Sequence, residues 1–197
     1  MENSTRIGVD FISALAFMRS AAQTLPLLEV ILEFTLMPDT FIDHRTKQVI
    51  FTRQDSGDFA IQVHREKCVR VGDEAFVKHD RVLNLAASEH VSDAANIGDF
   101  GSVTLADLLT VFRDFGEQWD VGGRTRQLIL NTPAERLYSV ICCRESLTPN
   151  QDWQPSRTLS LGLSDIQSQT VSHDGREWTI PVLAAAVRSL CDLWAGD

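Results

Sequence analysis

Residues 46–85, TKQVIFTRQDSGDFAIQVHREKCVRVGDEAFVKHDRVLNL, alternate short apolar runs with turn chemistry. KQVIFT, FAIQVH, CVRV, AFVKH and RVLNL are rich in β-branched and aromatic residues, which suit a pleated, half-buried strand. QDSGD and GDE supply the Asp, Ser and Gly that close turns. Consecutive strands joined by such short connections pair antiparallel, so the stretch predicts a meander. Within it, HREKCVRVGDEAFVKHD reads as one hairpin, with Gly72, Asp73 and Glu74 as its turn and Val69, Val71 and Val77 among its inward residues.

Upstream, LLEVILEFTLM alternates Leu28, Val30, Leu32, Phe34 and Leu36 against Glu29, Ile31, Glu33 and Thr35, and residues 27–36 are expected as strand, although Glu29 and Glu33 also share a helix face. Before it, Phe11, Leu15, Met18, Ala22 and Leu25 recur at helical spacing and Pro26 follows, predicting an amphipathic helix over 8–24. Downstream, residues 86–102 lose periodicity and read as a long surface loop and possible lobe boundary. Thr104 and Asp107 resemble a capping box, and Leu105, Leu108, Leu109, Phe112, Phe115 and Trp119 mark a helix face that ends before Gly122 and Gly123.

RQLIL follows as a strand. Residues 134–147 carry both a helix start at Thr132, Pro133 and Glu135 and the strand formers Tyr138 to Cys143; the strand reading is preferred. TPNQDWQPS is expected as a loop, TLSLGL as a strand, and Asp174-Gly175 as the turn of a C-terminal hairpin. Pro181 opens a last helix with Leu183, Ala186, Leu190 and Trp194 on one face. Runs of strands between helices predict a single α+β domain over 1–197: a mainly antiparallel sheet, meander plus C-terminal hairpin, with about three helices packed on it.

Composition narrows the class of partner. The 197 residues carry 27 acids against 18 bases, a net charge of -9, which disfavours the polyanionic surfaces of nucleic acids and anionic membranes and suits a protein with a basic surface. Cys68, Cys142, Cys143 and Cys191 form no CxxC pair and no disulfide framework, as expected in a reducing cytoplasm. The N-terminal MENSTRIGVDFISALAF lacks the pattern of a signal peptide, and no apolar run is long enough to span a bilayer.

Candidate chemistry is sparse. His64, Cys68, His79 and His90 offer nitrogen and sulfur ligands, but their spacings match no zinc pattern, and strand parity puts His64 beside Gln62 on the polar side. Asp43-His44, His79-Asp80 and His173-Asp174 place an imidazole next to a carboxylate in sequence. Neighbours in a strand point to opposite faces, so an oriented pair needs partners from elsewhere. Cys142 and Cys143 read as small buried hydrophobes, Arg144 being the neighbour that would lower a thiol pKa. Walker, GxSxG, HExxH and EF-hand patterns are missing, and no cofactor is expected. Trp153, in a polar, proline-flanked segment, is the candidate exposed anchor.

The expectation is a non-enzymatic cytoplasmic protein-binding module, such as a secretion chaperone, an immunity protein or an assembly adaptor. The alternative is a small enzyme or a ligand- or metal-binding domain using His64, Cys68, His79 or His90, which requires those side chains to converge.

Overall fold

A computed structural model of the chain describes residues 29–34, 44–118, 124–134, 137–150, 153–161 and 169–196. The helix expected over 8–24 and Trp119 lie outside them. The meander forms as four strands, β1 (Glu29–Phe34), β2 (His44–Arg53), β3 (Phe59–Val71) and β4 (Glu74–Ala86). The chain then passes through α1 (Ala87–His90), a small hairpin of β5 (Ala94–Asn96) and β6 (Ser102–Thr104) around a 3-10 turn, and α2 (Leu105–Gln118). It returns to the sheet as β7 (Arg124–Ala134), β8 (Leu137–Leu147) and β9 (Trp153–Leu161). The hairpin of β10 (Thr170–His173) and β11 (Arg176–Thr179) precedes α3 (Ile180–Ala195).

Seven strands make one sheet in the order β4-β3-β2-β1-β7-β8-β9. Every pair in it is antiparallel except β1 with β7, where Val30 lies beside Leu128 and Leu32 beside Leu130 in a parallel register. A parallel neighbour needs a long crossover, and here the chain between β4 and β7 supplies it and carries α2 across one face. The fold is therefore α+β with a mainly antiparallel sheet, built as two meanders joined at the centre.

The helices cover one face. Val30, Leu32, Phe34, Val49, Phe51, Ile61, Val63, Leu128 and Leu130 point to it and are buried in one cluster with Leu105, Leu108, Phe112 and Phe115 of α2 and Leu183, Val187 and Leu190 of α3. Phe51 meets Phe112 edge to face at 5.3 Å, and the Arg188 guanidinium of α3 lies 4.8 Å from the Phe34 ring centroid. The starts of α2 and α3 are capped by side chains, the first by the pair that the sequence points to. Thr104 and Asp107 exchange bonds, the Asp107 N–H donating to Thr104 Oγ1 at 3.2 Å and the Thr104 N–H to Asp107 Oδ2 at 2.9 Å. Thr179 Oγ1 accepts from the Val182 N–H at the start of α3. Asp174 and Gly175 take positive φ (50° and 71°), the backbone that a two-residue hairpin turn requires.

Four expectations change. The runs FAIQVH and CVRV are one strand, β3, and AFVKH and RVLNL are one strand, β4. The polar residues that suggested a break in β3, Arg65, Glu66 and Lys67, are paired on both sides, and Asp80, at the suggested break in β4, is a bulge between His79 and Arg81; a second bulge sets Lys47 between Thr46 and Gln48 of β2. Residues 86–102 are not a structureless loop but α1, β5 and the 3-10 turn, tied into the core by Ala87, Val91, Ala95 and Val103. Trp153 opens β9 opposite Leu147 instead of sitting in a loop; its side chain lies outside the described placements. Finally, Val71 and Val77 are 63% and 45% exposed rather than inward, because the β3–β4 ribbon runs past the described part of β2 and, among the described residues, no layer packs on it there.

Candidate interaction surface

The histidines and cysteines named from sequence do not gather. His64 stands opposite Gln48 and Val82, Cys68 opposite Val77, and His79 opposite Glu66. His64 and Cys68 are four positions apart on one extended strand, about 13 Å, too far to share an ion. His90 is on α1, where its Nδ1 lies 2.8 Å from Asp93 Oδ2, an oxygen that also accepts the Trp194 indole N–H at 2.8 Å. Among the described residues, no group of three or more His, Cys, Asp or Glu side chains is placed to hold a metal. The arrangement lends the metal-site alternative no geometric support.

Imidazole–carboxylate pairs do form, with partners from elsewhere in the chain. His44 pairs with Asp80 at 3.5 Å, Asp43 lying outside the described residues; His173 approaches Asp107 at 3.4 Å and not Asp174. Each carboxylate is already committed to structure. Asp107 caps α2, and Asp80 also faces Lys67 at 3.4 Å. Desolvation opposes the charged form of Asp80, but the Lys67 bond and charge, with those of His44 and Arg81, outweigh it and hold the carboxyl below its ordinary range. Cys191 is fully buried, and desolvation, reinforced by Asp192, pushes its thiol far above the ordinary range, so it is no nucleophile. Cys143 is half-buried and contacts the Gln127 side chain at 3.5 Å.

The sheet's second face carries a different feature. One cross-strand row runs through all seven strands: Asn84, Gln62, Ile50, Ile31, Ile129, Ile141 and Ser160, from β4 to β9. Its four central positions are isoleucines, all half-buried and none part of the helix-covered core. Among the described residues no helix packs on this face, and a contiguous apolar row is unusual on a sheet face without a packed layer.

Carboxylates flank that row on both sides. On β1, Glu29 and Glu33 stand two residues either side of Ile31 and project to the same face. Glu33 Oε1 accepts from Gln48 Nε2 at 2.7 Å, and Glu29 accepts from the Gln127 amide. These bonds fix both acids in place beside the row. This face thus carries an apolar stripe four strands wide between two hydrogen-bonded glutamates.

Strand parity in the sequence sets Ile31 among the polar positions Glu29, Glu33 and Thr35, and singles out none of the other three isoleucines. A signal was available: LLEVILEF, QVIFT and RQLIL are apolar at both parities, the mark of a strand with something to bury on each face. Among the described residues, no helix is long and apolar enough to cross a membrane. Compared with known proteins, the chain matches no family model, no curated protein and no solved structure.

Proposed function

We propose that this chain is a non-enzymatic protein-binding module whose open sheet face receives a partner segment carrying apolar and basic side chains. The observation that supports it is the row Ile50-Ile31-Ile129-Ile141 held between Glu29 and Glu33. Burying the isoleucines supplies affinity, while the glutamates, within a chain of net charge -9, favour a basic partner and raise its association rate. A secretion chaperone, an immunity protein or an assembly adaptor working in the cytoplasm would use such a surface. The absence of a CxxC pair and the free thiols of Cys68, Cys143 and Cys191 fit a reducing compartment.

The test is capture from the native source with two baits, the wild-type chain and the double variant Ile31→Glu/Ile129→Glu. The expected result is a partner retained by the wild type, lost by the variant, and depleted from the wild type when salt is raised to about 0.5 M. Equal capture by both baits would remove the open face from the reading. Capture insensitive to salt would remove its electrostatic part.

A further inference from the structure

The β3–β4 ribbon supports a second surface, independent of the open face. Among the described residues β2 pairs with β3 only as far as His44 opposite Lys67, so the pairs from Cys68–Val77 to Val71–Glu74 have no described strand on the β2 side. This stretch carries exposed apolar side chains on both strands: Val71 at 63%, Phe76 at 45% and Val77 at 45%. Its outer strand, β4, is an edge of the seven-stranded sheet, with a row of backbone groups facing outward.

The edge sequence Glu74-Ala75-Phe76-Val77-Lys78 is self-complementary. Turned about a two-fold axis through Phe76 and paired antiparallel with itself, it sets Glu74 of each copy opposite Lys78 of the other, and Phe76 opposite Phe76. Opposed residues of antiparallel strands share a face about 5 Å apart, close enough for both ion pairs and for the ring contact. The two charges are available. Lys78 stands directly across from Lys67, a like charge, and while Lys67 is held by Asp80 at 3.4 Å, neither Lys78 nor Glu74 makes an ion pair among the described residues. A partner chain therefore relieves an unfavourable placement as well as covering apolar surface.

The ends of the contact are defined too. The Asp80 bulge interrupts β4 just beyond His79, and Arg81 donates to the Ala195 carbonyl at the end of α3 at 2.7 Å. The opposite edge of the sheet, β9, contains Pro155, which lacks the N–H that edge pairing needs. One pairable edge closes a dimer and does not grow a fibre.

We infer that two copies of this chain associate through antiparallel pairing of their β4 edges about Phe76, joining the two sheets into one. The contact is short, at the small end of specific interfaces, and corresponds to a dimer with a dissociation constant in roughly the micromolar range. Sedimentation equilibrium across that range is the measurement, with the unfolding midpoint as a check on folding; both substituted positions are exposed, so the variants fold. Glu74→Lys alone and Lys78→Glu alone each set like charges opposite one another at both ends of the contact, and each is expected to weaken the dimer at least about ten-fold. Mixing the two variants restores opposite charges at both ends, and the mixture regains the wild-type affinity as a heterodimer. A wild-type chain monomeric throughout that range, single variants that dimerise like the wild type, or a mixture that stays monomeric would each overturn the proposal. None of these outcomes bears on partner capture at the open face, which Ile31 and Ile129 report.

Discussion

Glu66 shows how a single carboxylate can be held ionised where burial opposes it. Its side chain is 12% exposed, Arg45 Nη2 donates to Oε2 at 2.6 Å, and Lys47 Nζ lies 3.1 Å from Oε1. Desolvation raises its pKa, but the Arg45 and Lys47 hydrogen bonds and charges outweigh that, and the carboxyl lies below its ordinary value of 4.5. A group whose folded pKa is lowered contributes stability that is fully present above the unfolded value and is lost as pH falls through the folded one. Glu66→Gln keeps the shape and removes the charge, so at neutral pH it is expected to cost about 1–2 kcal/mol. That difference shrinks as pH drops below the ordinary value of 4.5 and vanishes once the wild-type carboxyl is protonated. Urea unfolding of both proteins at several pH values isolates the effect, since the other carboxylates cancel in the comparison. A penalty that stayed constant down the acid range would assign the loss to packing and not to charge.

Arg65 does for elements what Glu66 does locally. It is 1% exposed, and its Nη1 donates to Thr46 Oγ1 of β2 and to Asp192 Oδ1 of α3, both at 2.8 Å, so one β3 side chain ties two strands to the last helix. Asp192 is 45% exposed and tolerates losing its partner, whereas the volume Arg65 fills has no substitute. Arg65→Ala is therefore expected to cost about 2–4 kcal/mol, and Arg65→Met, which refills most of the space without the charge, about 1 kcal/mol. Equal costs in chemical denaturation would show that the charge, not the volume, is what the site needs. This residue also marks where sequence legibility ends. The strands at 29–34 and 137–147, the cap at Thr104, the helix start at Pro181 and the turn at Asp174-Gly175 are legible because each rests on near neighbours in the chain. A buried arginine inside the polar run HREKC gives no such local sign, and its partner is 127 positions away. For the same reason HREKC and VKHDR suggest strand breaks: the polar residues of HREKC are paired by β2 and β4, and Asp80 of VKHDR is a bulge, which uses a polar residue as a turn does and is told from one only by the pairing.

At the scale of the whole molecule, the two faces of one sheet differ in their packing, and β1 presents side chains to both. Leu32 is 0% exposed against the helices, while its neighbour Ile31 is half-buried in the open row. The parallel junction of β1 and β7 produces that row, because it sets Ile31 beside Ile129 and so joins Ile50 and Ile141 from separate meanders into one stripe. No single segment of sequence contains the stripe, so pattern reading finds the strands and misses the surface. The difference makes a quantitative prediction. Leu32→Ala removes packed volume from the core and is expected to cost about 2–5 kcal/mol, whereas Ile31→Thr, which keeps the β-branch on an accessible face, should cost less than about 1 kcal/mol. Measured by denaturant unfolding, that asymmetry would mean the isoleucines are kept for something other than the stability of the free chain. If Ile31→Thr proved as costly as Leu32→Ala, the open face would be a second core of the folded chain, and the partner that the proposed function places there would have no room to bind.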